Sequence, residues 1–125
     1  MDRGEKLIHD YIAAYNAYDV EGMTAGMASD MVFVNIQGGD ITLRLEGVDA
    51  FRRQAEEAKS YFSSRKQKIN HIVRLGETYE VEIDYEAVLA VDLPNGLSQG
   101  KKLCMTGKSI FRIEKGQIVN LTDIS

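Results

Sequence analysis

Near the start of the chain Leu7, Tyr11, Ala14, Tyr15 and Tyr18 recur at helical spacing and make one apolar–aromatic stripe, with His9, Asp10 and Asn16 away from its centre. Asp2 and Glu5 precede it at the spacing of a capping box, Asp standing in for Ser or Thr. Asp19 predicts the cap of a second helix running from Val20 to about Ala28, with Met23 and Met27 one turn apart on its buried side. Gly22 and Gly26 weaken that helix intrinsically. Met31 to Gln37 reads as a strand, and the Gly38-Gly39-Asp40 turn reverses it into Ile41–Leu45. Gly47-Val48-Asp49 then leads into a third helix, about Ala50 to Phe62, whose stripe is Phe51, Ala55, Ala58 and Phe62.

The remainder reads as strand. Lys68 to Leu75 has Ile69, His71, Val73 and Leu75 on one face. Tyr79–Val91 alternates Tyr79, Val81, Ile83, Tyr85, Ala87 and Leu89 with acidic residues. Pro94-Asn95-Gly96 lies in a reversing loop. Lys101–Ile113 follows, with Leu103, Met105, Gly107, Ser109, Phe111 and Ile113 on one side. Setting Asp84 opposite Lys108 in this hairpin also sets Glu80 opposite Arg112, so the pairing of acidic and basic outer faces predicts that register. Glu114-Lys115-Gly116 turns into a last strand, Gln117 to Ser125. The order is α-α-β-β-α-β-β-β-β, an α+β pattern without βαβ units, and no linker or repeat interrupts it.

Composition narrows the function. A chain of 125 residues suits one domain, 1–125, and 44% hydrophobic with 27% charged residues is ordinary globular usage. A net charge of −4 lacks the positive field that phosphate backbones require, so no nucleic-acid partner is expected. The start, Met1 to Lys6, carries no signal-peptide pattern, and no segment approaches the ~18 apolar residues of a membrane span. The single cysteine, Cys104, fits a reducing compartment, and the cytoplasm is the expected location.

Three local patterns add to the element order. They are Tyr11-Ile12-Ala13-Ala14-Tyr15-Asn16-Ala17-Tyr18-Asp19, Ser29-Asp30-Met31-Val32-Phe33-Val34-Asn35, and Ser109-Ile110-Phe111-Arg112-Ile113-Glu114-Lys115-Gly116-Gln117-Ile118-Val119. Over nearly the whole length the sequence resembles the NTF2-like superfamily, in its SnoaL-like and ketosteroid-isomerase-like branch. The resemblance implies a cone: a curved antiparallel sheet of about six strands wrapped around three helices, with a cavity between them. The superfamily hosts isomerases, dehydratases, cyclases, epoxide hydrolases and inert binding modules, so fold alone leaves activity open.

Against ketosteroid isomerases, the resemblance puts Tyr11 at the position of the carbonyl-polarising tyrosine, Asn35 at that of the base, and Ser109 at that of the protonated acid. An amide does not accept a proton at neutral pH and a serine is a weaker donor than a carboxylic acid, so that particular chemistry is disfavoured. Asp123 shares a strand face with Val119, Leu121 and Ser125, and the family comparison turns that face toward the cavity. Desolvation would raise its pKa and suit it to acid/base work, as SnoaL-type cyclases use an aspartate near the chain end; the alternative is a wet or paired carboxylate. His71 is a second acid/base candidate, although a lone histidine on an apolar face is more often a satisfied core residue.

Tyr15, Phe33, Asn35, Gln37, Tyr85 and Ser109 are the expected ligand-binding residues, apolar walls with a few convergent polar groups. Arg65-Lys66-Gln67-Lys68 reads as a solvated connection. No metal site and no cofactor are expected, since His9, His71 and Cys104 have no ligating spacing and no phosphate-binding glycine motif occurs. Two functions stay open: a cofactor-independent isomerase, dehydratase or cyclase acting on a small hydrophobic molecule, and a non-catalytic binding or assembly domain. Val32, Val34 and Ile36 on the outer sheet face predict a homodimer in either case.

Overall fold

The computed structural model describes residues 2–94 and 96–125; Met1, and Asn95 of the predicted turn, lie outside the described residues. Helix α1 (Arg3–Asn16) is capped as its sequence predicts, the Asp2 carboxylate accepting from the Glu5 amide at 2.7 Å. The same carboxylate accepts from the Tyr79 hydroxyl at 3.1 Å and pairs with Arg74 at 3.1 Å, so one residue ends the helix and ties it to the sheet. A Cβ at Gly4 would overlap the Tyr79 ring, which is why the first turn lies so close to the sheet. Ile8 and Ile12 are buried with Tyr11 and Ala14, so the core stripe centres one residue beyond Leu7.

Helix α2 (Val20–Thr24) begins on its Asp19 cap but stops four residues earlier than predicted. The Thr24 hydroxyl bonds back to the Val20 and Glu21 carbonyls, and Gly26 gives its carbonyl to the Ile118 amide at 2.8 Å. The sheet thereby captures Met27, which starts β1 (Met27–Gln37) instead of closing a helix. Strand β2 (Asp40–Glu46) completes the hairpin, and α3 (Val48–Ala58) follows. That helix also ends early: Lys59–Tyr61 tightens into one 3-10 turn and Phe62 is already extended. Strand β3 (Phe62–Leu75) therefore starts six residues before its predicted Lys68 and takes in the supposed solvated connection.

Strands β4 (Thr78–Leu89), β5 (Lys102–Glu114) and β6 (Gln117–Ile124) complete one six-stranded sheet in the order β2-β1-β6-β5-β4-β3. The architecture is the expected α+β cone. Its pairings are antiparallel except between β1 and β6, which run parallel and are joined through α3 and the four intervening strands. Helices and inner sheet face share a core in which Ile8, Met31, Val81, Phe111 and Leu121 are completely buried. Among the described residues no helix is long and apolar enough to cross a membrane.

Three register details depart from expectation. Glu82, not Asp84, stands opposite Lys108, and Thr78, not Glu80, opposite Arg112. The two-residue slide keeps every side chain on its face, and the Tyr79–Phe111 and Val81–Ser109 pairs fill the core, which outweighs surface charge pairs worth ~0.2–1 kcal/mol each. The charges still meet on the diagonal, Lys108 lying 3.9 Å from Glu80. In β3, Ile69 pairs with Ile83 and His71 with Glu82, leaving Asn70 as a bulge. The inward set beyond it is consequently Ile72, and His71, Val73 and Leu75 are exposed. A further shift between Arg112 and Ile113 makes Ile118, rather than Val119, the buried start of β6.

Candidate functional site

Three neighbouring strands bring three polar residues to one level of the inner face. Asn35 on β1 and Ser109 on β5 are the Cα partners of Asp123 on β6. The Ser109 hydroxyl donates to Asp123 Oδ1 at 2.7 Å, a short charge-assisted bond. Asn35 turns its amide to Thr42 on β2 at 2.8 Å, leaving Asp123 with Ser109 as its only hydrogen-bond partner among the described residues. Burial pushes the Asp123 carboxyl up to about 6, and the Ser109 bond opposes that rise by favouring the ionised form. Part of the residue's surface stays open to the cavity while its carboxyl group is closely surrounded by protein. The latter governs its protonation equilibrium.

Tyr11 is buried on α1, its ring edge-on to Phe111 at 5.6 Å and tilted against Phe51 at 6.5 Å. Burial first, and then the charge of Asp123, hold its hydroxyl well above the usual tyrosine range, so it stays protonated and keeps an O–H to donate. Tyr15 and Tyr85 approach hydroxyl to hydroxyl at 3.5 Å, too long for a strong bond, and burial raises both pKa values. Phe33 packs edge-on against Phe51 at 5.5 Å.

These side chains line two adjoining pockets, the two lobes of the site. The larger, about 230 Å³, lies among Tyr11, Phe33, Phe51, Phe62, Arg65 and Asp123, and the smaller, about 170 Å³, reaches Gln67, Met105, Ser109 and Ser125. Tyr15, Asn35, Tyr85 and Asp123 border both. Each lobe exceeds the ~150 Å³ that holds a benzene ring in a protein core. The predicted residues Tyr11, Tyr15, Phe33, Asn35, Tyr85, Ser109 and Asp123 are thus brought together.

Two predicted residues are not. His71 lies on the outer face because the Asn70 bulge reverses the alternation. Gln37 is exposed near the tip of the β1–β2 hairpin, past a register shift between Asn35 and Ile36 and beyond the reach of the helices.

The residues missed in the sequence sit on the early part of β3. Arg65 is 6% exposed, and its guanidinium carbon lies 4.0 Å from the Tyr15 ring centre and 4.8 Å from that of Tyr18. Asn16, at the last turn of α1, donates to the Gln67 carbonyl at 2.9 Å and accepts from the Gln67 amide at 2.8 Å. That two-way bond satisfies the open edge of β3 and sets Arg65 and Gln67 against the cavity. A visible signal existed: no glycine or proline separates Phe62 from Ile69, so the alternation Arg65, Gln67, Ile69 could be read backwards from the strand.

The SnoaL-like domain model matches residues 8–121, nearly the whole chain. The chain belongs to the SnoaL-like family. Among curated proteins none matches this SnoaL-like chain. Solved structures share its fold at low identity. An LEH-like epoxide hydrolase from M. tuberculosis aligns with a TM-score of 0.78 at 15% identity, over 98% of this chain and 81% of that one. A candidate polyketide cyclase from Xanthomonas campestris gives 0.76 at 24% identity, over 98% and 90%. IdmH, a candidate polyketide cyclase from Streptomyces antibioticus, gives 0.79 at 18% identity, over 96% and 89%. Family and cavity together fit a small-molecule pocket protein of this superfamily.

Proposed function

We propose that this SnoaL-like domain, working as one unit across residues 1–125, binds a small hydrophobic molecule in the two-lobed cavity and moves a proton on it without a cofactor. The supporting observation is the Asp123 carboxyl, enclosed at the meeting of the lobes, held by one serine and half-ionised near pH 6. A base poised close to neutral pH combines a large ionised fraction with real proton affinity. In the reaction Asp123 takes a C–H proton next to a carbonyl, the electron pair moves onto the carbonyl oxygen, and Tyr11 donates a hydrogen bond to the resulting enolate. Return of the proton to another carbon isomerises the ligand, attack of the enolate carbon on a second carbonyl closes a ring, and loss of a β-hydroxyl dehydrates it. The carboxylate comes from β6, one strand over from Asn35, which accounts for an amide standing where ketosteroid isomerases carry their base.

The test is hydrogen exchange at carbon. With 1-tetralone in deuterated buffer, wild-type protein should accelerate exchange of the protons next to the carbonyl, and Asp123→Asn should lose the acceleration. Saturable NMR shifts at Tyr11 and Phe33 without any exchange would make the domain a binding module. An absence of shifts at millimolar concentration with 1-tetralone and with its carboxylated analogues alike would sink the cavity reading itself.

The outer face supports two further parts of the proposal. Val32, Val34 and Ile36 align across strands with Asn120, Thr122 and Ile124, giving a mostly apolar strip on which a second copy of the chain would pack. Sedimentation equilibrium at micromolar concentration should return a dimer mass, and a monomer would remove this part. An exposed Cys104 with no disulfide partner supports a reducing, cytoplasmic location.

A further inference from the structure

Arg65 is a buried cation, 6% exposed. No carboxylate lies within ion-pair distance of it among the described residues. Its Nη2 donates to the Tyr15 carbonyl over a long 3.4 Å, its Nε is buried with no acceptor, and its Nη1 makes no hydrogen bond among the described residues. The flanking Tyr15 and Tyr18 rings offset part of the cost of burying the charge, but rings carry no net charge and accept none of these N–H groups in the guanidinium plane. A buried, uncompensated arginine at a cavity wall is incomplete as it stands.

The position of the charge matters as much. Arg65 lines the larger lobe together with Asp123, and the two never come within ion-pair distance. The cavity thus carries one cationic and one anionic group among apolar walls that include Phe33, Phe51 and Phe62. Asn16 fixes β3 at Gln67, two residues along, so the guanidinium has a firm mount.

We infer, building on the cavity reading above, that the ligand carries a carboxylate which docks on the Arg65 guanidinium while its neutral, reacting end lies against Asp123. A planar carboxylate matches the forked donors of arginine, and a ring attached to it fills the aromatic walls. The substrate class is therefore a small cyclic or aromatic keto acid rather than a neutral ketone.

The test compares 2-naphthoate with 2-naphthamide, equal in shape and different in charge, by isothermal calorimetry on the full chain. The naphthoate should bind at least about tenfold more tightly, the scale of one charge-assisted pair. Arg65→Met should remove that preference, and Arg65→Lys should keep part of it. Should Arg65→Met fail to fold, the Arg65 Nε–H resonance of the wild type serves instead: naphthoate should shift it and naphthamide should not. Equal binding of the two compounds, or a preference that survives Arg65→Met, overturns the carboxylate inference and leaves the cavity reading intact. Failure of both compounds to bind at millimolar concentration overturns both.

Discussion

Ser109 and Asp123 face each other as Cα partners on β5 and β6, and the serine hydroxyl donates to one carboxylate oxygen at 2.7 Å. The bond links two opposing influences on one proton. Burial favours the neutral acid, the hydroxyl favours the anion, and the result lies near pH 6 rather than at either extreme. Further donors would lower the pKa and weaken the base, and loss of the serine would raise it. The Ser109 hydroxyl therefore acts on the neighbouring strand's aspartate.

Ser109→Ala should accordingly raise the Asp123 pKa above about 6, since only the ionised form gains from that bond. Carboxyl carbon NMR against pH reads the midpoint directly. The accompanying stability loss should be about 1 kcal/mol, the net worth of one hydrogen bond. A midpoint that does not move would mean the hydroxyl spends its time elsewhere.

Asp123→Asn tests the linkage with the sign reversed from the usual carboxylate. The folded protein binds the proton more tightly than the unfolded chain, so stability falls as pH rises from about 4 to about 6 and the full cost persists above that. The change from 3.8 to about 6 bounds this cost at about 3 kcal/mol. The variant should be as stable as wild type or more so at pH 7, with a flatter stability profile between pH 4 and 6. Urea unfolding at four pH values measures this, and an unchanged profile would assign the titration to another group.

The sequence carries the cone because its clearest signals are local. The Asp2 and Asp19 caps, the glycine turns and the strict alternation from Tyr79 to Leu89 each act over a few residues and survive in the structure. The same alternation read on other strands places Phe33 and Asn35 of β1, Tyr85 of β4, Ser109 of β5 and Asp123 of β6 at the cavity. What alternation cannot carry is a change of phase. The Asn70 bulge turns His71 outward, and only the pairing of Ile72 with Val81 across the sheet dictates it. Arg65 was hidden for a different reason: charge marks a residue as solvated unless the partners that bury it are known, and Tyr15 and Tyr18 lie about fifty residues away in sequence. The two-way bond from Asn16 to Gln67 is equally long-range.

His71→Gln should be silent. The side chain is exposed opposite Glu82 and lines neither lobe, so unfolding free energy should stay within about 0.5 kcal/mol of wild type. Ligand affinity and any proton exchange should be unchanged too. A loss of exchange with intact folding would require β3 to adopt another register in solution.

Asn16→Ala removes both hydrogen bonds to the Gln67 backbone at once. The cost should be about 2 kcal/mol, because two part-buried backbone groups at the sheet edge lose their partner and must find water. The effect should also be local. The Gln67 amide should exchange with solvent much faster than in wild type, whereas amides in the β4–β5 pairing should change only by the global loss of stability. Arg65 stands two residues from the released anchor and depends on it for its place between Tyr15 and Tyr18. Binding of 2-naphthoate should therefore weaken more than that of 2-naphthamide. Equal weakening of the two compounds would mean that Asn16 supports the cavity wall as a whole and that the guanidinium is held by its tyrosines alone.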